Sequence, residues 1–248
     1  MHIKKYILII FISLISFKAN SLEQFNFDVT EIEITNDGNI FKGLKRGKIT
    51  SNDGILIDAD NFEYNKKLNV LNASGNVKIE DKIQSYIIYA DDITYLRSEE
   101  KIFTKGNSKA IDPKGQVINA DNFSYDKIEN ILKANGNVKI EDTIEDYIIY
   151  ADDITYLRNE DKIVTGGETK AYIKSKYEIE TKNVSFFRNK KILNSKNKTK
   201  IKDQNSQVYF VDEFNYSIND GLFKGTNIVP VIVNTFVLGI AFVTKVTR

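Results

Sequence analysis

The sequence predicts an all-β protein built by repetition into two facing sheets. Three observations carry this. Residues 75–103 read GNVKIEDKIQSYIIYADDITYLRSEEKIF and residues 136–164 read GNVKIEDTIEDYIIYADDITYLRNEDKIV, a repeat at an offset of 61. Ile, Val, Tyr, Phe and Thr fill runs that alternate apolar with polar residues, the period of a strand. No convincing amphipathic helix follows the N-terminal segment.

The 61-residue unit divides in two. Ala59, Ala90, Ala120 and Ala151 stand 30 or 31 apart, and the same step reaches Val29, Thr181 and Val211. Taking these as anchors, two before each is apolar: Phe27, Ile57, Ile88, Ile118, Ile149, Ile179 and Tyr209. Three after come Ile32, Phe62, Ile93, Phe123, Ile154, Val184 and Phe214. Five after, the residue is aromatic in all units but the first, as at Tyr64, Tyr95, Tyr125 and Tyr156. Fourteen after, it is always small: Gly43, Ala73, Thr104, Ala134, Thr165, Ser195 and Gly225. About seven units of 30 residues therefore run from near Phe27 to near Asn227.

Each unit follows one grammar. A strand alternates into the anchor, as in Ile55, Ile57 and Ala59. Beyond the anchor the apolar parity flips, to Phe62 and Tyr64. The side-chain period of a strand is two, so a flip marks an extra residue: a bulge or a corner. The flip recurs at Asp60, Asp91, Asp121, Asp152 and Asp212, and Asp suits a bend because its carboxylate can bond a nearby backbone N–H. A polar turn follows, such as Arg97-Ser98-Glu99-Glu100, and then a strand with Leu71, Ala73, Gly75, Val77 and Ile79 on one face. Pro113 is accommodated if it sits in an Asp112–Gly115 turn. Such strands carry one apolar face and must pack against each other to hide it, which stacking into two sheets achieves. The small residues fourteen after each anchor form a column; beside large neighbours it leaves a slot, unless aromatics of the facing sheet fill it. The tyrosines five after the anchor are either a binding stripe or rim residues with the hydroxyl at water.

The flanks differ. Lys4 and Lys5 precede an apolar run from Tyr6 to Phe17, and Ala19-Asn20-Ser21 offers a cleavage site, so residues 1–21 read as a signal peptide. The alternative is a retained N-terminal anchor. Cleavage removes three lysines and no acids, taking the net charge from +1 to −2 (+1 − 3). Residues 22–227 then form the repeat domain. Residues 228–248 are an apolar tail, read as one or two closing strands or as a membrane-associated segment.

The chain has no cysteine, and its only histidine is His2. Disulfides, His or Cys zinc sites and nucleophile–histidine pairs are thereby excluded from the mature chain. Charged residues make up 28% and nearly balance, which leaves no basic field for nucleic acid. Asp91-Asp92 and Asp152-Asp153 lack the glycines and spacing of calcium rungs and read as corners. Glu99-Glu100 returns as Glu160-Asp161, so it follows the repeat where a catalytic carboxylate pair should break it. No catalytic residue, metal site or cofactor is expected.

The unit resembles the repeat of the organic-solvent-tolerance (OstA-like) family. The residues that carry the resemblance are Ala59-Asp60-Asn61-Phe62-Glu63-Tyr64 with Ala73-Ser74-Gly75-Asn76-Val77, and again Ala120-Asp121-Asn122-Phe123-Ser124-Tyr125 with Ala134-Asn135-Gly136-Asn137-Val138. The family includes the periplasmic lipopolysaccharide-transport bridge LptA and the N-terminal domain of the outer-membrane translocon LptD. The resemblance implies a β-jellyroll whose groove holds the acyl chains of lipopolysaccharide. It also implies end-to-end strand addition to other OstA-like domains, whether further copies or inner- and outer-membrane transport components. It places the chain in the periplasm, with outer-membrane association open. No long barrel follows the repeats, so the bridge fits better than a truncated or split translocon domain. A structural or adhesive β-solenoid with no ligand stays open as a third reading. On strand parity, the groove-lining candidates are Ile57, Phe62, Ile88, Ile93, Ile118, Phe123, Ile149 and Ile154.

Overall fold

The computed structural model describes residues 25–231 and the backbone of 243–244. The signal peptide expected at 1–21 lies outside the described residues, as does most of the tail, 232–242 and 245–248. The described chain is a continuous antiparallel meander. Its rungs are Asn26–Thr35, Ile40–Thr50, Ile55–Ala59 with Asn61–Asn65, Val70–Asp81 and Tyr86–Leu96. Next come Lys101–Lys105 with Ser108–Ile111, Val117–Ala120 with Asn122–Asp126, Ile131–Asp142, Tyr147–Leu157 and Lys162–Ile173. The last are Tyr177–Lys182 with Ser185–Phe187, Ile192–Ser195 with Thr199–Asp203, Val208–Val211 with Glu213–Ser217, and Leu222–Thr226 with Val229–Val231. Two rungs make one 30-residue unit, so the seven predicted units are seven hairpins. The all-β expectation of two facing antiparallel sheets holds.

Every rung bends once. Alternate rungs bend at the predicted aspartate corners. The rungs between them bend at Gly75-Asn76 and its equivalents, where the sequence predicts one unbroken strand through Leu71, Ala73, Gly75, Val77 and Ile79, because two left-handed residues shift the register there. The half before one rung's bend pairs with the half after the next rung's bend, so the halves sort into two separate ladders. Ile57 lies opposite Ile79, Ile79 opposite Ile88, Ile88 opposite Ala110, and Ala110 opposite Ile118. The row continues through Ile140, Ile149, Ala171, Ile179 and Ile201. This is the inner face of the first sheet. In the second sheet Phe62 faces Ala73, Ala73 faces Ile93, and Ile93 faces Thr104. Phe123, Ala134, Ile154 and Thr165 repeat that order. Large and small residues thus alternate along the row, which lets the facing sheets interdigitate.

The corner is a staple between neighbouring rungs. Gly75, Gly106 and Gly136 take positive φ angles of 78°, 75° and 77°, and each is followed by an Asn that is also left-handed. The Asn76 amide donates to Asp60 at 2.8 Å, and Asn107 donates to Asp91 at 2.8 Å. Asn137 does the same to Asp121 at 3.1 Å. These three corner aspartates therefore accept from a side chain 16 residues on, where the sequence alone suggests a nearby backbone N–H; Asp152 accepts from a backbone N–H, that of Glu168, at 3.3 Å. A Cβ at Gly136 would stand 2.2 Å from the Asp121 carboxylate, so glycine is required twice over, by conformation and by space.

Turns occupy both rims, away from the corners. Those of the first sheet are capped by buried aspartates. Asp81 accepts from the backbone N–H of Ile83 and Gln84 at 2.9 and 2.8 Å, and Asp142 repeats this with Ile144 and Glu145. Pro113 lies in a turn closed by Gly115 N–H donating to the Asp112 carbonyl at 3.0 Å, as expected. At the start of the tail Val229–Val231 pairs with Val208–Val211, and further on Val243–Thr244 lies parallel to Leu222–Thr226, the one parallel pairing among the described residues.

The ends of the stack differ from its middle. Asn26–Thr35 pairs along one edge only among the described residues. Ile32 and Ile34 occupy inward columns, yet they are 46% and 56% exposed. The first rung has a neighbour on one side, so its apolar face is only half covered.

Candidate functional site

The eight groove-lining candidates all fall on the inner faces. Each is at most 4% exposed, and all belong to one core cluster. Strand parity predicts this placement correctly. The structure also brings in inward neighbours that the candidate set omits, among them Ile79, Leu71, Ile140 and Ile163, all fully buried.

The interior is filled. Aromatics at the mouth end of first-sheet rungs meet aromatics of the second sheet across the core. Phe25 packs edge-on against Tyr64 at 5.1 Å, Tyr86 against Tyr125 at 4.9 Å, and Tyr147 against Phe186 at 5.1 Å. The column of small residues therefore leaves no open slot beside it. A cavity of about 30 Å³ lies among Tyr86, Ile88, Ile118, Tyr125, Leu132 and Tyr156. That is room for about one water and not for an acyl chain.

The mouth between the two rims is closed by a row of cations. Arg97, Lys127, Arg158 and Arg188 each stand seven after an anchor, at steps of 30 or 31. Each leans over a tyrosine five after an anchor: Tyr95 for Arg97 and Lys127 at 5.7 Å, Tyr125 for Arg158 at 5.9 Å, and Tyr156 for Arg188 at 5.4 Å. The tyrosine rings are buried and their hydroxyls reach the rim. Tyr64 donates to Asn69, Tyr95 to Glu100, Tyr125 to Asn130 and Tyr156 to Asp161, at 2.9, 2.7, 3.0 and 2.9 Å. These tyrosines are at most 5% exposed and turn their hydroxyls to side-chain acceptors, so the sequence-based alternative of rim residues with the hydroxyl at water does not hold.

The cations reach across to the other sheet. Arg97 bonds Asp53 at 2.9 Å, and Lys127 pairs with the same carboxylate and with Glu100 at 2.9 Å. Arg188 joins Asp112 at 2.8 Å to Asp161 at 2.9 Å, and Lys114 reaches Asp161 at 2.9 Å. Lys191 meets Glu145 at 2.8 Å. Burial raises the Asp53 pKa, but the hydrogen bonds from Lys127 and Ser51 and the charges of Lys127 and Arg97 outweigh it and hold the carboxyl down at about 2. Asp161 is likewise held below the usual range: burial opposes, and Lys114, Arg188 and Tyr156 prevail. Asp53 and Asp161 are therefore carboxylates throughout the neutral range. A mouth depression of about 370 Å³ lies one step on, floored by Tyr147, Phe186 and Ile218 and rimmed by Lys114, Arg188 and Lys191.

Sequence reasoning passed over this seam, although its cations keep the repeat step. Arg97 was read only as part of a polar turn. Among the described residues no cluster of His, Cys, Asp or Glu could hold a metal ion. Among those residues no helix is long and apolar enough to cross a membrane.

No protein-family model matches this sequence, and no curated protein matches it. Among solved structures the chain is similar to the crystal structure of LptH, the LptA-homologous periplasmic component of the conserved lipopolysaccharide transport device from Pseudomonas aeruginosa. That likeness has 12% identity and a TM-score of 0.45, and covers 49% of this chain and 96% of the other. A mutant of the TCP10 domain of Danio rerio CPAP is also matched, at 7% identity and a TM-score of 0.16, over 72% of this chain and 96% of that one.

Proposed function

We propose that this chain carries lipopolysaccharide through the periplasm, its acyl chains held between the two sheets. The observation that supports this is the continuity of the interior. One uninterrupted apolar row runs from Ile57 through Ile88, Ile118 and Ile149 to Ile201, and a second row faces it with Phe62, Ile93, Phe123 and Ile154. Repetition makes successive rungs nearly equivalent, so a chain moving along the rows meets the same surface at each step. Each CH₂ withdrawn from water contributes about 0.8 kcal/mol. No covalent step is needed and no catalysis is assigned.

Because the interior is filled, loading requires the sheets to part at the mouth. Side chains hold that seam together, whereas backbone ladders hold the corners, so the mouth is the side that opens. At the first rung, the edge of Asn26–Thr35 that is unpaired among the described residues and the exposed Ile32 and Ile34 suit strand addition by another domain of this kind.

A second reading is favoured by the same filled core: a structural solenoid that binds nothing. Photo-crosslinking separates the two. A photoreactive side chain replaces Phe62, buried, or in a second variant Glu63, on the outer face. Lipopolysaccharide labelling at 62 and not at 63 is the expected result. No labelling at either position in a folded protein leaves the ligand-free solenoid.

A further inference from the structure

Arg158 breaks the pattern of the seam. The 61-residue repeat alternates the residue ten after the anchor between amide and acid: Asn69, Glu100, Asn130, Asp161. Arg158 falls on the Asn130 step. Its guanidinium donates to the Asn130 side chain at 2.9 Å, to the Tyr125 hydroxyl at 3.2 Å and to the Gln84 carbonyl at 3.4 Å. All three partners are neutral. Arg97, Lys127 and Arg188 each hold a carboxylate, whereas no ion pair of Arg158 occurs among the described residues. The nearby carboxylates are engaged elsewhere: Asp112 with Arg188, and Asp81 with its own turn.

Beneath Arg158 lies the 30 Å³ cavity, and two buried polar atoms at its wall make no hydrogen bond of good geometry. They are the Tyr86 hydroxyl and Gln116 Oε1, on residues 6% and 1% exposed. The guanidinium lies 4.8 Å above the Tyr86 ring. Among the described residues the Tyr86 hydroxyl lies within hydrogen-bonding reach of the Tyr125 hydroxyl alone, which Asn130 and Arg158 already engage, so a ligand carbonyl would replace that contact. Gln116 uses only its amide N–H, on Tyr147. The turn tips on the two rims carry exposed aliphatic residues: Ile83 and Ile144 at 69% and 77%, Ile128 at 68%. A cation without a carboxylate, a donor held only by a neighbouring tyrosine, a spare acceptor and an apolar cavity therefore meet at one step.

We propose that this step receives the head of one anionic amphiphile. Its phosphate takes the Arg158 guanidinium, the carbonyl of its acyl linkage accepts from Tyr86 Oη, and a linkage N–H or O–H donates to Gln116 Oε1. The chain then enters beside Ile118 and Leu132. This rests on the lipid-carrier reading and adds where the head is held and where the seam first parts. The step has no ion pair to break, so it opens before its neighbours.

The test compares binding of lipid A, of fully dephosphorylated lipid A with the same chains, and of inorganic phosphate. Wild type binds lipid A most tightly, the dephosphorylated form roughly tenfold less well, and phosphate alone not measurably. Arg158→Gln removes the preference between the two lipids, and Arg158→Lys restores it. Tyr86→Phe weakens both lipids equally and leaves the preference intact. A preference that survives Arg158→Gln in a folded protein overturns the head-group site and leaves the carrier reading standing. So does inorganic phosphate bound as tightly as lipid A. Binding of neither lipid by wild type overturns the carrier reading, and this site with it.

Discussion

Asp53 and Lys127, 74 residues apart in the chain, form an ion pair across the mouth of the fold. Asp53 belongs to a turn of the first sheet and Lys127 to a turn of the second. Arg97 and Glu100 complete the cluster, with side chains of Arg97 and Lys127 only 10% and 12% exposed. Pairs this sheltered from water are screened less than surface pairs.

Lys127→Gln is expected to destabilise the protein by about 1–3 kcal/mol, because it leaves Asp53 and Glu100 sharing Arg97 alone. Asp53→Asn combined with Lys127→Gln should cost less than the sum of the single changes. Urea denaturation of the four proteins in a double-mutant cycle measures the difference. Additive costs would show that the two residues do not act as a pair.

The same cluster sets an acid limit. The Asp53 carboxyl is held at about 2 in the folded chain, below its ordinary 3.8. A carboxyl with a depressed pKa contributes stability that is complete above its unfolded value and is lost as pH falls through the folded one. Asp161 shifts in the same direction. Stability should therefore fall between about pH 4 and pH 2. Asp53→Asn should flatten that slope while lowering stability at pH 7. Thermal melting across pH 2–7 reads both, and an unchanged slope in the variant would remove Asp53 from the account.

Gly136→Ala should destabilise by about 1–3 kcal/mol, since it meets both a left-handed backbone and the Asp121 carboxylate. Gly221→Ala is the control. It too is left-handed, with φ at 63°, but nothing lies within 4 Å of its added Cβ. The difference between the two variants in chemical denaturation isolates the clash. Equal losses would mean that conformation alone matters at the corner.

Deleting one whole repeat should leave a folded protein. Removing residues 76–136 joins Gly75 to Asn137, both corner residues in the same grammar. The partners of Asp53 are then replaced in register: Arg97 by Arg158, Glu100 by Asp161, Lys127 by Arg188. Unfolding should stay cooperative, with a denaturant slope reduced roughly in proportion to chain length. Loss of cooperative unfolding would mean that the rungs are not interchangeable.

Much of this architecture can be read in the residues. A parity flip at Asp60 and its equivalents marks the corners of alternate rungs, because a strand turns its side chains over every second residue; at Gly75-Asn76 the bend takes up two residues, keeps the parity and so leaves no mark. Ile57 and Phe62 lie on opposite sides of that flip and both face inward, as the flip requires. The filling of the interior was not legible. Ala73 and Thr104 are small, but whether a slot stands beside them depends on what the facing sheet brings: both are buried, and towards the mouth Tyr86 and Tyr125 meet from rungs far apart in the chain.

By itself the sequence determined the rungs, the aspartate corners of alternate rungs and the face that each candidate residue takes. These follow from the local period of a strand and from a repeat that copies it. Only the tertiary structure decided which rim turn meets which. Asp53 meets Arg97 and Lys127, while Asp112 meets Arg188, so the rims are offset by several rungs. That offset reflects the twist between neighbouring strands summed over the stack. The repeat period carries no record of that sum, and it is the sum that leaves Arg158 over a cavity without a carboxylate.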